Sequence, residues 1–195
     1  MEKQRWIGLI LALTFIGVSS LGFAPTAQSE QTVADQNLAS IVRAYPTPEK
    51  LAAFLRKRIA FQEDEKRFGE ADYWQAPEEV LERGAGDCED YALLAQEVFK
   101  QQGVGAFLLS LYGSGGYAHT VCVFLDGRTY SVINNDRVVR YRAKSLEELA
   151  TFLYPQWSWG AVAEKMGHRG RAVQEIYNRS RTAAVQGSDG LERFL

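Results

Sequence analysis

Apolar side chains recur every three or four residues through the first half of the chain and at every second residue through much of the second half, so helices precede a sheet. Thr47-Pro48-Glu49 opens a helix with a hydroxyl N-cap, proline at the first helical position and an acid in the first turn; Leu51, Phe54, Leu55 and Ile59 mark its buried stripe. Ala76-Pro77-Glu78-Glu79 opens a shorter helix that Gly84 ends. Gly86-Asp87-Cys88 begins the strongest helix of the sequence, with Tyr91, Leu94, Ala95, Val98 and Phe99 on its apolar face and Gly103 as its stop. The period then falls from about 3.6 residues to about 2. Residues 106–112 predict a strand, Gly113-Ser114-Gly115-Gly116 a loop and residues 117–125 a second strand. Asp126-Gly127 is a hairpin turn, residues 129–133 a third strand, and residues 137–142 add a fourth. Ser145-Leu146-Glu147-Glu148 is a capping box for a helix that ends before Pro155. Beyond Gly160 the pattern predicts one helix over residues 171–177 and then a Gly/Ser-rich, flexible end. The order describes an α+β fold without repeats.

The first residues follow a different pattern. Lys3 and Arg5 form a positive start, residues 6–18 are apolar apart from Thr14, and the small residues Ser19, Ser20, Gly22, Ala24 and Ala27 follow. Residues 1–27 therefore read as a secretory signal peptide, and the protein as periplasmic or secreted. The uncharged run from Trp6 to Gln28 keeps an uncleaved N-terminal membrane anchor as the alternative. Residues 28–46 are polar and small and read as a linker or short docking helix, ahead of one domain over residues 47–159; residues 160–195 form the C-terminal helix and tail. Composition narrows the class further. The 195 residues are 46% hydrophobic, 12% aromatic and 24% charged, which excludes collagen-like, wholly disordered and polytopic membrane chains. A net charge of -2 gives no footprint for nucleic acid.

Chemistry centres on few residues. The histidines are His119 and His168, and the cysteines Cys88 and Cys122. Cys88 lies in the first turn of a long helix, where unpaired backbone N–H groups stabilise a thiolate and can donate to an oxyanion. His119 enters a strand just beyond a glycine loop, and Asn134 ends the next strand, where its amide could orient the imidazole. Cys, His and an orienting Asn or Asp are what an activated thiol nucleophile needs. A Cys88–Cys122 disulfide is the structural alternative. Zinc on His119 and Cys122 is opposed by strand geometry, since residues three apart face opposite sides. Cys122 reads as core, and His168, between Gly167 and Arg169, as an exposed loop residue. Trp157 and Trp159 read as a substrate rim or a hydrophobic clasp.

The block from Asp72 to Tyr91, DYWQAPEEVLERGAGDCEDY, together with the His119 and Asn134 elements, resembles the bacterial transglutaminase-like cysteine proteinases of the papain-like superfamily. It is most similar to their periplasmic, calcium-dependent members that clip surface adhesins. The resemblance covers roughly residues 45–157. It implies a papain-like core in which the helix bearing the nucleophile Cys88 packs on an antiparallel sheet bearing the base His119. The family's usual third member is an aspartate; fifteen residues after the histidine this chain has Asn134, with Asp136 the alternative. Trp74, in the matching DYW segment, lines the substrate cleft or packs in the core.

The acids Asp87, Glu89 and Asp90 would raise the pKa of a neighbouring thiol and oppose the helix terminus. The resemblance implies that Asp87 and Glu89 hold calcium, for which carboxylate oxygens are suited. Asp87 would also serve as the helix N-cap, and Asp90 as a cap or internal hydrogen-bond acceptor. The expected activity is hydrolysis of peptide bonds in an envelope or surface protein through a thioester acyl-enzyme, with a regulatory protein partner as a further implication of the family. Acyl transfer to an amine by the same nucleophile, and a non-catalytic binding module, are the competing readings.

Overall fold

The structure is a computed structural model and describes residues 37–69, 72–114, 116 and 118–178. The signal peptide expected over residues 1–27, and the final part of the tail, lie outside the described residues. Asn37 caps helix α1 (Leu38–Ala44) by accepting the Ser40 N–H, and Thr47 caps α2 (Pro48–Arg58) by accepting that of Lys50. Of the two readings of residues 28–46, linker or short docking helix, the docking helix is the one found over Leu38–Ala44. Leu38 and Ile41, three apart on one helical face, are buried in the core, and Gln102 donates to the Val42 and Tyr45 carbonyls.

Next come β1 (Ala60–Phe61), the single-turn α3 (Glu65–Phe68), α4 (Pro77–Arg83), β2 (Ala85–Gly86) and the long α5 (Cys88–Gln101). Proline opens α4 and Gly84, with φ of 64°, ends it in the left-handed conformation. β1 and β2 pair in parallel through Ala60 N–H to Gly84 C=O and Gln62 N–H to Gly86 C=O, each 2.9 Å. That small ladder fixes the backbone immediately ahead of Cys88.

The main sheet comprises β3 (Ala106–Gly113), β4 (Ala118–Asp126), β5 (Thr129–Asn134) and β6 (Arg137–Ala143). Helix α6 (Leu146–Leu153) then leads to β7 (Trp157–Met166) and β8 (Arg169–Tyr177). All neighbours are antiparallel in the order β6-β5-β4-β3-β7-β8. Strand alternation divides the core in two. Leu108, Cys122, Phe124 and Ile133 pack with Tyr91, Leu94, Val98 and Phe99 of α5. Leu109, Leu111, Val121, Val123 and Val132 face the other way, onto Leu149, Ala150 and Trp157. A helix bearing Cys88 at its first turn is therefore packed on an antiparallel sheet, as the α+β reading requires.

Two expectations for the C-terminal part are corrected. The sheet runs through the boundary placed at residue 159, because β7 spans it. Residues 171–177 are strand β8, not a helix. Ala172, Val173, Ile176 and Tyr177 mimic a helical stripe, yet only Ile176 among them is buried. The Gly167 turn, with φ of 63°, lets the segment pair with β7 from Met166–Arg169 to Trp159–Tyr177, and this ladder overrides the local period. Among the described residues no helix is long and apolar enough to cross a membrane.

Candidate active site

Cys88, the first residue of α5, is half-buried at the wall of a cavity of about 180 Å³. Asp72, Trp74, Asp87, Glu89, Tyr112, His119, Thr120 and Gly170 are among the residues that line the same space. Both cysteines are free. Cys122 is buried in the α5-side core, and burial pushes its thiol far up, so the disulfide alternative is absent here and the core reading of Cys122 stands.

The His119 Nε2 is 2.8 Å from Asn134 Oδ1. Since an amide oxygen only accepts, the Nε2 carries the proton and the basic lone pair lies on Nδ1. Burial lowers the His119 pKa, and the Asn134 bond acts in the opposite direction. The alternative third residue, Asp136, is engaged elsewhere: its carboxylate accepts from Arg56 Nε at 3.2 Å, and its carbonyl from Arg56 Nη2 at 3.0 Å.

The Cys88 thiol donates to Glu89 Oε2 at 3.0 Å. Burial, then the charge and hydrogen bond of Glu89, push its pKa well up, and a backbone hydrogen bond from Thr120 to the sulfur pulls it down. The acids themselves are displaced upward. Burial and the neighbouring Glu89 raise Asp87, burial raises Glu89, and burial pushes Asp90 up to about 7. One oxygen each from Asp64, Asp87 and Asp90 lie within 4.8 Å of one another, and Asp87 Oδ1 is buried without a hydrogen-bond partner.

Asp90 is fully buried and holds the nucleophile turn to the preceding segment. It accepts from Gln75 N–H at 2.8 Å, from the Gln75 side-chain amide, and from Asp87 N–H at 3.3 Å. The bond to Asp87 is the return half of a capping box, which fulfils the internal role expected of Asp90. Gly86 leaves the space this needs, since a Cβ there would meet Asp90 Oδ2 at 2.5 Å.

Trp74 lines the cavity and is almost fully buried, its indole N–H donating to Asp72 at 2.8 Å. Trp157 lies in the core on the α6 side, whereas Trp159 stacks at 4.3 Å on Tyr112, a residue of the cavity lining. The residues missed by sequence reasoning are Asp64, Gln75, Tyr112 and Gly170. Only Gln75 carried a local signal, as a polar residue between Trp74 and a helix start.

The sequence profile of the family described as bacterial transglutaminase-like cysteine proteinase (BTLCP) matches residues 26–139. Among solved structures the chain is similar to Legionella pneumophila LapG, at 17% identity over 70% of this chain and 71% of that one, with a TM-score of 0.42. It is similar also to the calcium-bound form of LapG (17% identity, 74% and 77% covered, TM-score 0.43). For the EGTA-treated form the values are 15% identity, 76% and 76% covered, and a TM-score of 0.43. No curated protein matches the chain.

Proposed function

The chain belongs to the bacterial transglutaminase-like cysteine proteinase family, and from that premise we propose that it is an exported thiol hydrolase that cuts peptide bonds in a protein of the cell envelope. The observation that carries this reading is one cavity shared by a thiol at a helix N-terminus and a histidine whose Nε2 is held by an amide.

Cys88 is the nucleophile, His119 the base and Asn134 the residue that orients it. With Nε2–H given to Asn134, Nδ1 of His119 takes the thiol proton and the thiolate attacks the scissile carbonyl carbon. The N–H of Cys88 at the start of α5 stabilises the oxyanion. As the tetrahedral intermediate collapses, the imidazolium returns its proton to the departing amine and leaves a Cys88 thioester. Water, deprotonated by His119, then attacks the thioester and releases the acid and the thiol.

Asp87 and Glu89 are the proposed calcium ligands, with Asp64 and Asp90 adjoining them. The carboxylates fit a hard cation: Asp87 shares one close group with Asp64 and Asp90 and another with Glu89 and the Cys88 sulfur, and one buried Asp87 oxygen has no hydrogen-bond partner. When bound, the ion supplies positive charge that offsets the acids beside the thiol. Trp74 forms a wall of the substrate cleft.

The test is product analysis by mass spectrometry on a denatured protein substrate with calcium present, with and without an added primary amine. New acid C-termini and a Cys88-linked acyl adduct are expected, both lost in Cys88→Ala. Amide products dominating in the presence of amine would replace hydrolysis by acyl transfer. Cleavage that survives in Cys88→Ala would overturn the reading.

A further inference from the structure

The cavity wall that carries Trp74 is joined to a turn far along the chain. From Tyr73 to Ala76 each backbone N–H has its own acceptor: Asp64 Oδ2 (2.6 Å), the His168 carbonyl (3.0 Å), Asp90 Oδ1 (2.8 Å) and Glu79 Oε2 (2.6 Å). Three of these are side chains close to Trp74 in sequence or in the acid cluster. The His168 carbonyl belongs to the β7–β8 turn.

Two further contacts fasten that turn. The His168 ring stacks on Tyr73 with centroids 4.4 Å apart and planes 14° from parallel, and Tyr73 stacks in turn on Phe68 at 4.3 Å. The Arg83 guanidinium caps the stack, 5.1 Å from the Phe68 centroid. Two positions on, Gly170 lies against the indole of Trp74, so close that a Cβ would fall 2.3 Å from the ring carbon Cζ2. Gly170 has no left-handed φ, so its backbone suits any residue and its lack of a side chain serves the indole.

We propose that His168 and Gly170 are positioning residues for peptide binding, which act by fixing Trp74. The β7–β8 turn sets where the indole lies, and the indole shapes the cleft that a peptide enters to reach Cys88. This rests on the thiol-hydrolase reading of the same cavity. Neither residue touches the reacting atoms, so their loss weakens peptide binding and leaves the intrinsic reactivity of the thiol alone.

The experiment compares the full chain with Gly170→Ala, His168→Ala and His168→Phe. Each is titrated with iodoacetamide, which needs no cleft, and with benzyloxycarbonyl-Phe-Ala-fluoromethyl ketone, which must occupy it. Gly170→Ala and His168→Ala should lose about fivefold or more in the peptidyl rate constant, with the iodoacetamide rate kept within about twofold. His168→Phe should stay close to the parent, because a phenyl ring retains the stack on Tyr73. On a cleavable peptide the same two losses should fall on KM, with kcat kept.

Equal slowing of both reagents, or a peptidyl rate unchanged in Gly170→Ala, would overturn the proposal. So would a His168→Phe protein as impaired as His168→Ala. If Gly170→Ala fails to fold, the His168 pair alone decides. A parent that alkylates at Cys88 yet hydrolyses no peptide would defeat the hydrolase reading instead, and the ratio of the two reagents still judges the wall.

Discussion

Removal of calcium should destabilise this protein in a way readable without any substrate. Asp64, Asp87, Glu89 and Asp90 gather at the start of α5, where Asp64, Glu89 and Asp90 are buried and Asp87 is partly so. Burial raises Asp87, Glu89 and Asp90, and the charges of neighbouring acids add to it at Asp87 and Asp90. The sign follows from the direction of the shift. A carboxyl raised on folding binds its proton more tightly in the native state, so cation-free stability is highest at acid pH. It is lost as pH rises from the unfolded value of about 4, and for Asp90 the loss is complete near its folded value of about 7. An ion that binds only the native state at a hundred times its Kd contributes about 2.7 kcal/mol, or about 5–10 °C in Tm for a chain of this size. Scanning calorimetry at pH 7.5 in EGTA and in millimolar calcium measures this. The pair Asp87→Asn with Glu89→Gln should melt higher than the parent in EGTA and ignore calcium. A parent whose Tm is the same in both buffers would refute the calcium site and leave the acids as a purely structural cluster.

Three other outcomes are expected. Cys88→Ala should abolish turnover and iodoacetamide labelling, whereas Cys122→Ala should keep both and cost about 1–2 kcal/mol of stability as a small core truncation, measured by urea denaturation. Asn134→Ala should lower kcat by about tenfold or more, while Asp136→Ala, which loses an ion pair to the exposed Arg56, should cost under about 1 kcal/mol and little rate; the reverse ranking would show that Asp136 orients the ring. Burial lowers His119, so the acid limb of the rate profile should fall below about pH 6.5, and Asn134→Asp should move it to higher pH by giving the imidazolium a charged partner.

What could be read from the sequence is what is written locally. Thr47, Pro77, Gly84 and Ser145 mark helix ends through their own side chains or backbone freedom, and each does so in the structure. Cys88, His119 and Asn134 were legible because a helix start and two strands joined by a tight turn constrain where they stand. Asp64 was not: it sits in the charged run Gln62-Glu63-Asp64-Glu65-Lys66, which reads as solvent-facing until Tyr73 donates to it. Strand β8 was misread for a similar reason. Its apolar spacing is ambiguous, and the choice was made by the edge of β7. His168 is exposed, as expected of a loop residue, but its ring has a face on Tyr73 that no local pattern announces.

The insertion of β7 beside β3 also orders events in time. Strands β3 to β6 are successive and joined by short connections, so that part of the sheet can assemble from neighbouring hairpins. β7 reaches β3 only after α6, and the turn that holds Trp74 is made later still in the chain. The residues proposed to carry the chemistry, Cys88, His119 and Asn134, all precede it. Thiol labelling during refolding should therefore find a nucleophile exposed before the peptidyl reagent begins to discriminate. On the roles proposed for Trp74 and its turn, selectivity is the last property this enzyme acquires, and it arrives with the strands, β7 and β8, that also close the sheet and core around Leu111, Trp157 and Ile176.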